Sequence, residues 1–146
     1  MLKDTLPVIR DVLQEDIHNK IILITATNLL NSGYYVLADH VNWSAGAPPK
    51  IFKHTPDIYA YRGESKLIVE VETRDSFNSG HALSQIKSFN SAAEKLNGIC
   101  YLILPQVSIG LNEHLQKALI NIRRYKLSYT KLASCDVRTN ILKLYN

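Results

Sequence analysis

Residues 57–62 (DIYAYR) and 66–72 (KLIVEVE) are both strand-forming runs, and only a short segment around Gly63 and Glu64 separates them. Two such runs joined by a tight turn form an antiparallel hairpin. In the second run Leu67, Val69 and Val71 alternate with Ile68, Glu70 and Glu72, so each set lies on its own face of the strand. One face is wholly apolar, while the other opens on Ile68 and ends on two carboxylates. The hairpin thus demands a sheet, cover over that sheet, and an account of the acids at its end.

The flanking sequence supplies the cover. Asp16 reads as an N-cap, with helix over 20–30 and a stop at Gly33. Ile17, Ile21 and Ile24 fall on one stripe, with Ile22, Ala26, Leu29 and Leu30 on a neighbouring one, the pattern of a buried helix. Residues 4–15 add a preceding helical stretch. Residues 34–41 read as a strand, and 43–55 as a loop marked by Gly46 and the pair Pro48 and Pro49. A helix starts at Asn78 or Ser79 and stops at Asn97 and Gly98. The apolar run 99–104 has the length of a buried strand. Asn112 caps a last helix to Arg124, with Leu115, Ala118, Leu119 and Ile122 on its apolar face, and short strands follow in 126–146. The order helix, strand, strand, strand, helix, strand, helix makes a single α/β domain over 1–146, a mixed central sheet flanked by helices.

Composition narrows the function. Of 146 residues, 46% are hydrophobic, which excludes a disordered chain. The longest apolar stretch, 21–30, is interrupted by Thr25, Thr27 and Asn28 and is too short to span a membrane. The N-terminus has acids early and no small-residue cleavage site, so no secretory signal is expected. The two cysteines, Cys100 and Cys135, do not make a disulfide framework, and a reducing cytoplasmic setting is expected. Charge is uneven: residues 1–116 hold 10 Lys+Arg and 12 Asp+Glu, whereas 117–146 hold seven basic residues against Asp136 alone. A basic end on a near-neutral body is either a footprint for a polyanion or an ordinary solvated surface.

The acids carry the chemistry. Asp57 opens the first run, and Glu70 and Glu72 end the second on one face, about 6.6–7 Å apart by strand rise. The hairpin brings Asp57 beside them. Three converging carboxylates repel unless a cation sits among them, and oxygen ligands favour Mg²⁺ or Mn²⁺. Solvation of Glu70 and Glu72 on a half-exposed sheet is the plainer alternative. No Cys/His spacing suits zinc, no Ser–His–acid set suits a hydrolytic triad, and no Gly-rich loop suits a nucleotide.

Pro56-Asp57, twelve intervening residues, Glu70-Val71-Glu72-Thr73 and then Gln85 in the next helix resemble the PD-(D/E)xK nuclease superfamily. The superfamily core (helix, three strands, helix, strand) corresponds to residues 16–104, and Gln85 with Phe89 is similar to the Gln-x-x-x-Tyr pattern of its exonuclease branch. The resemblance implies a restriction-endonuclease-like fold and Mg²⁺- or Mn²⁺-dependent hydrolysis of DNA. It implies that Asp57 and Glu70 bind the ion with the Val71 carbonyl, and that Gln85 braces the site. The superfamily's lysine position holds Glu72, as in some of its members. Glu72 then serves as general base or as ligand to a second metal; or the change marks a module that binds nucleic acid, or assembles with a partner, without cutting.

His81 lies four before Gln85 and so shares its helix face, making it the candidate phosphate or water contact; an ordinary surface histidine is the alternative. Lys87 is about 200° around the helix from Gln85, and Lys66 is about 13 Å along the strand from Glu70. His54 lies on the approach to Asp57. Glu15 and Asp16 fall where some superfamily members place a helical acid, and Arg74 and Asp75 follow the acidic strand. Trp43 and the tyrosines read as core or interface residues rather than stacking platforms. Arg123, Arg124, Lys126 and Lys131 are the candidate nucleic-acid contacts. So small a chain encloses a duplex poorly on its own, so a homodimer is expected.

Overall fold

A computed structural model describes residues 2–73, 80–106 and 111–146. Helix α1 (Leu2–Asn31) leads into strands β1 (Tyr35–Ala38), β2 (Ile58–Arg62) and β3 (Ser65–Val71). Helix α2 (Gly80–Leu96), strand β4 (Ile99–Pro105), helix α3 (Leu111–Arg124) and strands β5 (Thr130–Asp136) and β6 (Ile141–Leu144) follow. The strands form one mixed sheet in chain order. β1–β2, β2–β3 and β5–β6 are antiparallel, whereas β3–β4 and β4–β5 are parallel. Each parallel step is a crossover through a helix, as parallel pairing requires. Among the described residues the architecture is α/β with a six-stranded mixed sheet and three helices.

The alternation in β3 divides the core. Leu67, Val69 and Val71 join Ile21, Ile22 and Ala26 of α1 on one face. Ile68 joins Phe89 and Ala93 of α2 and Cys100 of β4 on the other. Beside it Ile86 of α2, Leu102 of β4, Leu115 and Ala118 of α3 and Leu132 of β5 close a third cluster. Phe89, Ile21 and Ile22 are fully buried, each contributing about 1.5–3 kcal/mol. Cys100 and Cys135 are free and buried, and Trp43 packs on the core, its Nε1 donating to the Val36 carbonyl at 2.8 Å.

Several expectations are corrected. Asp16 is not a cap: α1 runs unbroken through it, and Asp16 is an exposed mid-helix residue. The helix is not buried all round, since Leu13 and Leu30 are about half exposed (54% and 52%). Its Gly33 stop is real. Gly33 has φ +90°, and the Tyr34 amide donates back to the Leu29 carbonyl at 3.1 Å. β1 has only four residues, because the chain turns at Asp39 and His40. Asn112 is the second residue of α3 rather than its cap. The expected α2 start at Asn78 or Ser79 lies outside the described residues, as do Arg74 and Asp75. At the far end of α2, Asn97 has φ +53° and the Gly98 amide donates to Ala93 O at 2.8 Å. A Cβ on Gly98 would stand 2.5 Å from the Lys66 carbonyl, so the helix meets β3 there through bare backbone.

Candidate active site

The register of the β2–β3 hairpin decides where the acids go. Ile58 opposes Val69, so Asp57, one residue before, stands level with Glu70. The Val71 amide donates to Asp57 Oδ2 at 2.7 Å, and the Asp57 amide donates to Glu70 Oε1 at 3.3 Å. Each acid is therefore held by the backbone of the other strand. Asp57, Glu70 and Glu72 are all buried, at 8%, 5% and 4% exposure. Pro56 is buried beside them, and the Asp57 carbonyl accepts from the Asp39 amide at 2.8 Å, which pins the start of β2. Glu72 lies just past the end of β3, where its amide continues the ladder to Ile103 O at 3.0 Å.

Burying these acids together is electrostatically costly. Burial above all, and then the charge of Asp57, push the Glu70 carboxyl far above its ordinary value. A hydrogen bond between the two carboxyl groups and the charge of Glu72 act in the same direction. His18, on α1, answers part of this charge: its Nε2 lies 3.3 Å from Asp57 Oδ2. Burial alone would lower the His18 pKa, but the hydrogen bond and charge of Asp57, aided by Asn19 and Glu72, raise it overall.

The acids open into a cleft of about 560 Å³ at the carboxyl end of β3. Asp57, Glu70, Val71 and Glu72 form its floor; His81 and Gln85 of α2 line one wall, and Gln14, Glu15 and His18 of α1 the other. The three strand acids Asp57, Glu70 and Glu72, Val71 and both α2 residues singled out in the sequence thus meet in one place. His81 is exposed and Gln85 half-buried, one turn apart on the same wall. His54 packs edge-on to His81, with ring centroids 5.6 Å apart, and to Phe89 at 6.1 Å. Of the two helical acids, Glu15 faces the cleft and Asp16 is not among its lining residues. Lys87 points elsewhere, its Nζ lying 4.1 Å from the centre of the Tyr125 ring. Lys66 pairs with Tyr61 at the opposite end of β3.

Two features differ from the sequence reading. His18 was not singled out, although its place one turn beyond Gln14 and Glu15 on α1 is the signal that identifies it. The basic quartet does not adjoin the acids. α3 leaves the end of β4 and returns to the start of β5, which carries Arg123, Arg124 and Lys126 to the far end of the sheet. Lys131 alternates with Leu132 and so lies on the α1 side of β5. All four are exposed. Among the described residues no three His, Cys, Asp or Glu side chains form a ready-made metal cage. The donor set consists of the Asp57–Glu70 pair and backbone at Val71, an all-oxygen set that suits a hard cation retaining several waters. No protein-family model and no curated protein matches this sequence.

Proposed function

We propose that this chain is a Mg²⁺- or Mn²⁺-dependent nuclease that hydrolyses DNA phosphodiester bonds, built on the restriction-endonuclease-like core of the PD-(D/E)xK superfamily. One observation carries the reading. Two acids from adjoining antiparallel strands, Asp57 and Glu70, are buried in mutual contact at the floor of an open cleft whose walls include Gln85 and His81. A charge pair that unfavourable is stabilised by a bound cation. Asp57 and Glu70, with the Val71 carbonyl, would hold the ion, which when bound lowers the pKa of water and neutralises charge on the scissile phosphate. His18 fixes the Asp57 carboxylate from behind. Glu72, at the cleft floor, accepts a proton from the attacking water, and Gln85 and His81 orient the phosphate from the α2 wall. The exposed Arg123, Arg124, Lys126 and Lys131 contact flanking phosphates remote from the cut. A homodimer supplies the second site needed to cut both strands.

Glu72 supports a second reading, a nuclease-fold module that binds nucleic acid or a partner without cutting, because the charge at the superfamily's lysine position is reversed. Cleavage of plasmid and branched DNA in Mg²⁺ or Mn²⁺ separates the two. Metal-dependent cutting that falls at least a hundredfold in Asp57→Ala and in Glu70→Ala is expected. Absence of cutting, or cutting undiminished in both variants, overturns the nuclease; DNA retained without cutting establishes the second reading.

A further inference from the structure

The sheet face that bears the acids is only partly covered. Val36, Ala38, Ile58 and Ala60 point into the α1 core, so by alternation Tyr35, Leu37, Tyr59 and Tyr61 point to the other side. There α2 packs over β3 and β4 and reaches the half-buried Tyr59 through the Phe89 cluster, which leaves Tyr35 and Tyr61 at its margin. Tyr35 and Tyr61 are cross-strand partners with ring centroids 5.2 Å apart, and Tyr59 lies 6.2 Å from Tyr61. Tyr35 is 50% exposed and Tyr61 40%. Phe52, in the loop before β2, is 53% exposed and carries the Lys95 Nζ 4.8 Å from its ring centre.

Two further observations say what this surface accepts. The first is charge. Lys66 opposes Tyr61 in register, Lys95 sits on Phe52, and Lys50 and Lys53 flank Phe52 in sequence; the acids nearest these residues in the chain are Glu64, Glu94 and the cleft acid Asp57. The surroundings are cationic and the centre is aromatic. The second is continuity. Tyr59 and Tyr61 follow Asp57 along the same strand, about 7 and 13 Å from it by strand rise, and Thr55 of the same loop lines the cleft. Rings interleaved with lysines that run on from a phosphodiester-cutting site match the chemistry of unpaired nucleotides, whose bases stack on rings while cations follow the backbone. A duplex hides those base faces.

Resting on the nuclease reading, we propose that the Tyr35–Tyr59–Tyr61 face, with Phe52, is a stacking platform for single-stranded nucleic acid leading into the Asp57–Glu70 cleft. The substrate is accordingly a strand with unpaired bases beside the cut rather than continuous duplex.

The test is equilibrium binding of labelled (dT)20, (rU)20 and a 20-base-pair duplex in EDTA, where nothing is cut, to the wild-type chain, Tyr35→Ala, Tyr61→Ala and Tyr61→Phe. We expect each alanine variant to bind one or both single strands about five- to tenfold more weakly, with duplex binding unchanged and Tyr61→Phe close to wild type. The two single strands show whether the platform takes DNA, RNA or both. Wild-type binding no tighter to either strand than to duplex, or strand binding unchanged in both alanine variants, overturns the platform. So does a dimer that dissociates in Tyr61→Ala under sedimentation without loss of strand binding, since the face is then covered by a second copy. Cleavage in Mn²⁺, run in parallel on single-stranded circular DNA, on branched DNA with unpaired arms and on plasmid, keeps the two ideas apart. Metal-dependent cutting with unaltered strand binding removes the platform alone; strand binding lost in the alanine variants without any cutting removes the nuclease alone.

Discussion

Replacing Glu70 by Gln tests the electrostatics of the cleft without changing its shape. The folded-state pKa of Glu70 is raised from its ordinary value of 4.5, mainly by burial and then by the charge of Asp57. The folded chain therefore keeps a proton that the unfolded chain releases. Stability is full below pH 4.5 and falls as pH rises through the range between the two values. One proton of difference is worth at most about 1.4 kcal/mol per pH unit. For a domain of this size, 1 kcal/mol moves Tm by about 2–4 °C. In EDTA the wild-type Tm should thus fall by up to about 3–6 °C per unit between pH 5 and pH 8. His18, whose pKa is also raised, adds a loss of the same sign above its ordinary 6.5. Glu70→Gln has no proton to lose, so its Tm should be level from pH 5 to 6 and should fall only with His18 above that. A bound divalent cation favours the ionised carboxylate, so Mn²⁺ should restore the wild type. At a hundredfold excess over Kd the gain is about 2.7 kcal/mol, and it should be larger at pH 8 than at pH 6. Differential scanning fluorimetry across pH, with EDTA or Mn²⁺, reads both effects. A wild-type Tm independent of pH in EDTA, or an equal Mn²⁺ gain in Glu70→Gln, would refute the reasoning.

Other expectations follow from single contacts. Thr25 is buried, and among the described residues its Oγ1 has no hydrogen-bond partner, so Thr25→Val should stabilise by about 1 kcal/mol in urea denaturation. Gly98→Ala pushes a methyl against the Lys66 carbonyl and should cost about 1–3 kcal/mol in the same assay. Neutralising Arg123 and Arg124 together with Gln should reduce the slope of log K for duplex DNA against log salt by about 2. Because both lie at the far end of the sheet, the Mn²⁺-induced rise in Tm should not change.

Much of the site was legible because local rules govern it. The Gly63 turn sets the β2–β3 register, that register sets Asp57 level with Glu70, and a one-turn spacing puts His81 and Gln85 on one wall. What escaped depends on long-range packing. The helical spacing puts His18 on the face of Glu15, but only the angle at which α1 crosses the sheet brings it to Asp57. Asp16 has the chemistry of a cap, yet helix continues through it, and tertiary burial of Ile21, Ile22 and Ala26 holds the helix in place. Arg123, Arg124, Lys126 and Lys131 are close to the acids in neither sequence nor space, because α3 runs back from the end of β4 to the start of β5. The composition shift pointed to a surface but not to which end of the sheet bears it.

β3 is paired on both edges and roofed on both faces. Its central amides, away from the cleft, have no short route to solvent, so those of Leu67, Ile68 and Val69 should be among the slowest to exchange for deuterium. β1 and β6, each bonded along a single edge, should fray first. The acids therefore adjoin the most rigid stretch of the backbone, and the aromatic face lies toward one of the looser margins.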